Sequence, residues 1–223
     1  KVKGTTLSAH SDMIKELDLQ IGAIVDALKK NGQYENTLII FSSDNGGLNM
    51  KNTERTGHDS SNGFRGSKTW IYEGGHRVPF IACWPEKITS SQKSDEPVMV
   101  HDLAATLYAL TGQDIPVNQA MDSYNLLPLL INEKNAKGRE VIFSQGSGNR
   151  GNVAIRKGDW KLIIKSERNN PDVRVPIGLY NLADNVFEKE EENLIDSPEQ
   201  KGRVEELLHL YNRIRDSEQR TIR

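Results

Sequence analysis

The stretch Thr37-Leu38-Ile39-Ile40-Phe41-Ser42-Ser43-Asp44-Asn45-Gly46-Gly47 decides the fold class of this chain. Its β-branched and apolar first half indicates a buried strand, and ligands of open α/β sheets bind at the carboxyl ends of strands. Asp44 and Asn45 follow this strand, and their carboxylate and amide oxygens suit a hard cation such as calcium or magnesium. Because the same residue types also dominate turns, the motif alone leaves a simple turn open.

A lysine downstream favours the ligand-site interpretation. Lys68 lies 24 residues beyond Asp44, on a polar segment that leads to a second apolar run, Val78 to Trp84. A loop that returns to the strand end can place this cation beside an anion held by the metal. The compact charge of a lysine suits a sulfate or phosphate oxygen.

Two motifs resemble those of the sulfatase family, which lies within the alkaline phosphatase superfamily. One is Ser-Asp-Asn-Gly at residues 43–46, and the other is a Gly-x-Lys-x-x-x-x-Glu-Gly-Gly-x-Arg-x-Pro block at residues 66–79. Residues 18–22 also resemble the family's Asp-x-x-Ile-Gly stretch. Residues 153–163 resemble a hairpin late in the family's sequences, and residues 179–182 and 188–194 resemble its closing segment. Nearly the whole chain therefore resembles the carboxyl-terminal half of a formylglycine-dependent arylsulfatase.

The resemblance implies an α/β fold: the carboxyl-terminal part of an alkaline phosphatase-like sandwich with a central mixed sheet, followed by a small antiparallel sheet packed by a carboxyl-terminal helix. It also implies that Asp44 and Asn45 are calcium ligands. Lys68 would be catalytic and would contact the sulfate ester and its bridging oxygen. The family's remaining site residues, including the cysteine or serine that becomes formylglycine, have no match in this sequence.

The partial donor set predicts that this chain belongs to a longer enzyme. Calcium takes about six to eight oxygens, and Asp44 with Asn45 supply only some of them. We expect a missing amino-terminal half to complete the site and to carry the formylglycine. The present chain, as the carboxyl-terminal half, is expected to be inactive alone. Cys83, in Cys-Trp-Pro-Glu-Lys, does not replace the nucleophile, because it lies in an apolar run where a free cysteine behaves as a small buried hydrophobe.

Among the five histidines, His58 lies on the loop between the metal motif and Lys68 and is the candidate for substrate binding. A solvated loop histidine is the alternative. The other four are expected to be structural: His10, His76, His101 and His209.

Two further charged residues allow more than one interpretation. Arg65 either binds an anionic group of the substrate or forms a salt bridge with Asp59 or Glu73. Glu73 is expected to orient Lys68 or to cap backbone amides.

Composition limits the function classes. The 223 residues are 36% hydrophobic, enough for a core, and carry a net charge of -2 with both signs interspersed, so the sequence offers no basic surface for nucleic acid. No membrane span or signal peptide is recognisable, and one cysteine excludes an internal disulfide. The family resemblance suggests that the parent protein is exported (periplasmic or secreted) or lysosomal.

Periodicity predicts the main elements and two regions. Residues 1–138 are assigned to the α/β catalytic core and residues 139–223 to a small α+β subdomain. The first helix is expected to pack its apolar face on the sheet. The predicted helices are Ser8–Lys30, Val98–Leu110 and Pro198–Ile214, and the strands of the small sheet are Val141–Ser144, Val153–Lys157 and Trp160–Lys165.

The predicted activity is calcium-dependent hydrolysis of a sulfate ester. Gly63-Phe64-Arg65 and Trp70 resemble the rim of bacterial carbohydrate sulfatases, which suggests a sulfated carbohydrate as substrate. A phosphodiesterase or phosphonate monoester hydrolase of the same superfamily is one alternative. A non-catalytic fragment that serves as a binding or assembly module is another.

Overall fold

The computed structural model describes residues 2–48, 54–89, 91–147, 151–167 and 170–217. In this part of the chain, two antiparallel sheets are accompanied by helices. The helices are α1 (Ala9–Lys30), α2 (Glu73–His76), α3 (Leu103–Leu110), α4 (Leu127–Leu130) and α5 (Lys201–Asp216). The strands are β1 (Ile39–Ser42), β2 (Phe80–Cys83), β3 (Val141–Gln145), β4 (Val153–Lys157), β5 (Trp160–Glu167) and β6 (Asn170–Asn181). Short 3-10 helices cover Val100–Asp102, Glu190–Glu192 and Pro198–Gln200.

Helix α1 begins and ends where the sequence predicts, but its apolar face is not covered. The Ser8 hydroxyl caps its first turn by accepting a hydrogen bond from the Ser11 amide at 3.1 Å. Ile14, Leu17 and Ile24 are 46%, 48% and 60% exposed. The prediction that this helix packs on the sheet is therefore wrong for the described chain. A helix of 22 residues is about 33 Å long, and the two four-residue strands β1 and β2 present too small a surface to cover it.

Strands β1 and β2 pair in antiparallel register from Ile39 opposite Cys83 to Ser42 opposite Phe80. The Ser43-Asp44-Asn45-Gly46 motif, called the metal motif below, therefore follows β1 next to the start of β2. Of the expected central mixed sheet, the described residues show only this antiparallel pair. The strand assignment of Cys83 is confirmed, and its sulfur lies 3.6 Å from the Tyr34 hydroxyl.

The second sheet has four antiparallel strands in the order β3-β4-β5-β6. Three of them match the predicted strands, and β6 was not predicted. Strand β6 contains Pro171 and Pro176, which the sequence rules assign to turns or edges, and it is indeed an edge strand with irregular register opposite Ile163 and Ile164. The small antiparallel sheet with its carboxyl-terminal helix is confirmed.

The four-stranded sheet has two different faces because its side chains alternate. One face carries Ile155, Leu162 and Leu179, which are paired across β4, β5 and β6 and fully buried. Helix α5 covers this face with the buried side chains of Leu207, Leu210, Tyr211 and Ile214. The opposite face carries the cross-strand row Ile142, Arg156, Lys161 and Tyr180 and is directed toward the segment around α2.

An ion pair joins the two predicted regions. Arg139, which opens the second region, donates from Nε to the Asp102 carboxylate at 2.8 Å, and both side chains are buried. Asp102 also accepts hydrogen bonds from the amides of Met99 and Tyr124, at 2.9 Å each. The boundary at residue 138 stays a prediction. None of the described helices combines the length and apolar character needed to cross a membrane.

Replacing Leu207 by alanine is expected to lower the free energy of unfolding by about 2–5 kcal/mol, because the fully buried side chain would leave a cavity between α5 and the sheet. Urea denaturation followed by tryptophan fluorescence measures the change. Glu205→Ala, at an exposed position of the same helix, is the matched control and should stay within about 0.5 kcal/mol of the unsubstituted protein. Equal effects of the two substitutions would contradict the assigned helix orientation.

Candidate active site

The loop that carries Lys68 is held against the metal motif by backbone contacts. The Gly46 amide donates to the Gly75 carbonyl at 2.9 Å, and the Lys68 amide donates to the Gly47 carbonyl at 2.9 Å. The approach is so close that a Cβ on Gly46 would lie 1.9 Å from the Gly74 carbonyl oxygen. The glycines of both motifs are therefore required for contact between the loops, beyond their role in turning the chain.

A cavity of about 780 Å³ is lined by three of the four predicted site residues. Its walls come from the end of β1, the Lys68 loop, α2, residues 93–101 and strands β3 to β5. Asp44, Asn45 and Lys68 all line it, so the structure brings these three together. The small sheet contributes polar groups to the opposite wall, including Ser144, Gln145 and Arg156.

The donor atoms of Asp44 and Asn45 are available to a cation. Asp44 is exposed, and its carboxylate has no hydrogen-bond or ion-pair partner in the described part of the chain. The Asn45 amide nitrogen donates to the Gly46 carbonyl at 3.2 Å, which leaves its side-chain oxygen for a ligand. These oxygens fit a hard cation but complete only part of a shell. Among the described residues, no group of three or more His, Cys, Asp or Glu side chains could hold a metal ion.

The Lys68 ammonium is likewise available to a ligand. The side chain is partly buried, and within the described residues it makes neither a hydrogen bond nor an ion pair. Its position in the same cavity as Asp44 and Asn45 allows it to meet an anion bound there.

Glu73 has partners that the sequence analysis did not predict. It is buried, and its carboxylate accepts hydrogen bonds from Lys161 at 2.9 Å and Arg77 at 3.1 Å. In the described residues the carboxylate neither contacts Lys68, as a direct orienting role would require, nor caps backbone amides, because the buried Lys161 ammonium on β5 offers it a full opposite charge. Burial opposes ionisation of Glu73, but the nearby positive charges, of which Lys161 is the largest contributor, and the hydrogen bond from Lys161 together outweigh it and lower the pKa of Glu73 to about 2.

A second carboxylate, that of Glu188, shares the same lysine. Lys161 Nζ lies 2.8 Å from it, and the Glu73 amide donates to it at 2.6 Å. Burial raises the pKa of Glu188 despite the attraction of Lys161. The sequence signal for this cluster was a lysine in the strand Trp160-Lys161-Leu162-Ile163-Ile164, where a charge among buried apolar residues requires partners.

The imidazole of His76 lies beside this cluster. Its Nε2 donates to the Ile71 carbonyl at 3.0 Å and lies 3.3 Å from Lys161 Nζ. This backbone partner agrees with the structural role predicted for His76. Burial and the neighbouring lysine lower the pKa of His76 to about 4, so the imidazole is neutral near pH 7.

Two other predicted residues lie apart from the metal motif. His58 lines a separate small cavity with Glu54, Asp59 and Ser60, and its ring lies 5.7 Å from that of His10. Its contact with substrate stays a prediction.

Arg65 forms an ion pair with Glu190 at 2.7 Å, and its guanidinium lies over the ring of Tyr72. Neither Asp59 nor Glu73 is its partner. Asp59 instead accepts hydrogen bonds from the amide and hydroxyl of Ser61.

Comparison with known proteins identifies the family of the chain. The sulfatase family model matches residues 3–113, and a model of the N-sulphoglucosamine sulphohydrolase carboxyl-terminal region matches residues 64–217. The second match covers more than half of the chain. The chain belongs to the sulfatase family, whose members hydrolyse sulfate esters, and it corresponds to a carboxyl-terminal portion.

Relatives and solved structures place the chain in one part of a larger fold. An N-acetylgalactosamine-6-O-sulfatase of Bacteroides thetaiotaomicron is 36% identical over 72% of this chain and 32% of its own length. A steryl-sulfatase of Rattus norvegicus is 34% identical over 60% of this chain and 24% of its own length. The crystal structure of Ps i-CgsB in complex with k-i-k-neocarrahexaose, 30% identical, superimposes with a TM-score of 0.74 over 94% of this chain and 43% of that one. The chain thus spans less than half the length of these proteins.

Replacing Gly46 by alanine is expected to separate the two loops, because the new methyl group would collide with the Gly74 carbonyl. Overpacking of this kind costs about 1–3 kcal/mol of unfolding free energy, measurable by urea denaturation. Gly22→Ala, in α1 with no atom within 4 Å of the added Cβ, is the control and should be neutral or stabilising by about 0.5–1 kcal/mol. A neutral Gly46→Ala protein would contradict the close approach of the loops.

Acid is expected to destabilise the protein partly through His76. Its pKa is about 4 in the folded protein and near 6.5 in the unfolded chain, so between these values only the unfolded state takes up the proton. Stability from this group is present above pH 6.5 and is lost as the pH falls toward 4. Unfolding free energies at pH 7 and pH 5 should therefore differ more for the unsubstituted protein than for His76→Gln. Identical pH dependence in both proteins would refute the shift.

Proposed function

We propose that the full-length enzyme containing this chain hydrolyses a sulfate ester of a carbohydrate in a calcium-dependent reaction. The observation that carries the proposal is the location of Asp44, Asn45 and Lys68 on one cavity in a member of the sulfatase family. Two of these residues supply oxygen donors for a cation, and the third supplies a cation for the anionic substrate.

Calcium is the metal that the donor chemistry fits. The free Asp44 carboxylate and the Asn45 side-chain oxygen are hard ligands, which suit calcium better than softer metals. When bound, calcium would hold a sulfate oxygen and make the sulfur more electrophilic. The remaining ligands and the formylglycine nucleophile are expected from the amino-terminal half of the same enzyme, so this chain alone should be inactive.

Lys68 acts on the substrate itself. Its uncommitted ammonium can donate hydrogen bonds to a sulfate oxygen and to the bridging oxygen of the ester. Negative charge grows on the bridging oxygen as its bond to sulfur breaks. A positive charge fixed at that position therefore stabilises the transition state more than the ground state.

The walls of the cavity favour a polar substrate over a steroid. Ser42, Ser43, Gln145 and the aromatic residue Trp70 line it. Hydroxyl and amide groups can pair with sugar hydroxyls, and an aromatic ring offers an apolar face to a sugar ring. The relative that acts on N-acetylgalactosamine 6-O-sulfate points in the same direction.

Removing the lysine tests the mechanism. Lys68→Ala is expected to lower kcat for sulfate release by about 100- to 1,000-fold, the usual loss for one group that stabilises developing charge. The full-length protein is assayed with 4-nitrophenyl sulfate and N-acetylgalactosamine 6-sulfate, with and without a calcium chelator, and its intact mass is checked for formylglycine. Lys87→Ala, at an exposed position after β2, is the control and should retain full activity.

The outcomes separate the candidate functions. Calcium-dependent sulfate release that Lys68→Ala lowers by this factor supports the proposal. Release of 4-nitrophenol from bis(4-nitrophenyl) phosphate or from a 4-nitrophenyl phosphonate, without sulfate release, would favour a phosphodiesterase or phosphonate monoester hydrolase. An unmodified full-length protein that cleaves neither ester would indicate a binding or assembly module.

A further inference from the structure

A buried ionic cluster connects the small sheet to the loops of the site. Lys161 is 1% exposed, Glu73 is 3% exposed and Glu188 is fully buried. The lysine ammonium lies 2.9 Å from the Glu73 carboxylate and 2.8 Å from that of Glu188. Because charges removed from water are stable only with close partners, this geometry fixes the relative positions of β5, α2 and the segment after β6.

Within the cluster, Glu73 directly precedes in sequence the glycines that contact the loop of the metal motif. Glu73 is followed by Gly74, whose amide donates to the Arg65 carbonyl at 2.8 Å. The next residue is Gly75, whose carbonyl accepts the hydrogen bond from Gly46. Gly46 immediately follows Asn45, so only a few covalent and hydrogen bonds separate the buried carboxylate from the proposed metal ligands.

The same segment supports Lys68. A Cβ on Gly75 would lie 2.1 Å from the Trp70 carbonyl and 2.8 Å from the Ser67 carbonyl, so α2 packs tightly against the backbone on both sides of Lys68. A shift of Glu73 would therefore move the proposed metal ligands and the proposed catalytic lysine together.

We propose that Lys161 is a positioning residue for the sulfatase site: by holding Glu73 from the small sheet, it sets the placement of Asp44, Asn45 and Lys68. This inference rests on the proposed function. Lys161 does not contact the reacting atoms in this role, and its effect passes through Glu73 and the glycine contacts. The small sheet then contributes to the chemistry as a support that determines metal affinity and turnover.

The test compares charge-removing substitutions with a matched surface control in the full-length protein. Lys161→Met keeps the length of the side chain and removes its charge. Lys165→Met makes the same change at an exposed position of the same strand. Calcium binding is measured by calorimetric titration of the metal-free protein with calcium chloride. Values of kcat and KM are measured with 4-nitrophenyl sulfate at a temperature where circular dichroism shows a folded protein.

Lys161→Met is expected to weaken calcium binding and to lower kcat by about 10- to 100-fold each, the usual effect of losing a group that orients metal ligands. Lys165→Met should stay within about twofold on both measures. A folded Lys161→Met protein with unchanged calcium affinity and kcat would overturn the proposal and leave a purely stabilising role.

A second variant covers the case in which Lys161→Met does not fold, because that change removes the cation that two buried carboxylates share. Glu73→Gln retains the shape of the side chain and leaves Lys161 paired with Glu188. It should weaken calcium binding and lower kcat in the same direction, and normal values in this folded variant would overturn the proposal. An unsubstituted full-length protein that releases no sulfate would refute the proposed function as well, whereas active protein with unaffected variants refutes the positioning role alone.

Discussion

The ammonium group of Lys161, buried between the carboxylates of Glu73 and Glu188, is the interaction on which the rest of the structure depends. Lys161 and Glu73 are separated by 88 residues, and Glu73 and Glu188 by 115, so the cluster joins three distant segments. Leaving one partner of a buried ion pair without its counter-charge costs about 3–5 kcal/mol. The three segments are therefore held in one arrangement, and the site loops take their positions from it.

The small sheet can hold this cluster because its two faces have different partners. Helix α5 covers one face with Leu207, Tyr211 and their neighbours, which supplies the apolar burial that stabilises the sheet. The other face is then free to carry a charged row that includes Arg156 and Lys161 toward the cavity. The small sheet, which the sequence assigns to a separate carboxyl-terminal subdomain, thus forms one wall of the candidate active site.

Close backbone contact explains why the two motifs contain glycines. Gly46 and Gly47 on one loop meet Gly75 and the Lys68 amide on the other, at distances that exclude a side chain on Gly46 or Gly75. This contact brings oxygen donors and a lysine to one cavity, although these donors would supply only part of the shell of a calcium ion. An incomplete shell is consistent with a chain that spans 32% of the length of its Bacteroides relative.

The sequence by itself determined the main helices, five of the six strands in the described residues, the Ser-Asp-Asn-Gly motif and the family, because local periodicity and motif spacing depend on neighbouring residues. It did not reveal β6, whose prolines resemble turn signals, and it placed α1 against a sheet that the described chain does not provide. Only the tertiary structure decided that Glu73 pairs with Lys161 instead of Lys68, that Arg65 pairs with Glu190, and that His58 lines a different cavity from Asp44. The physical reason is that the partner of a charge depends on which segments burial brings together, and segments about 100 residues apart meet through packing that no local pattern records.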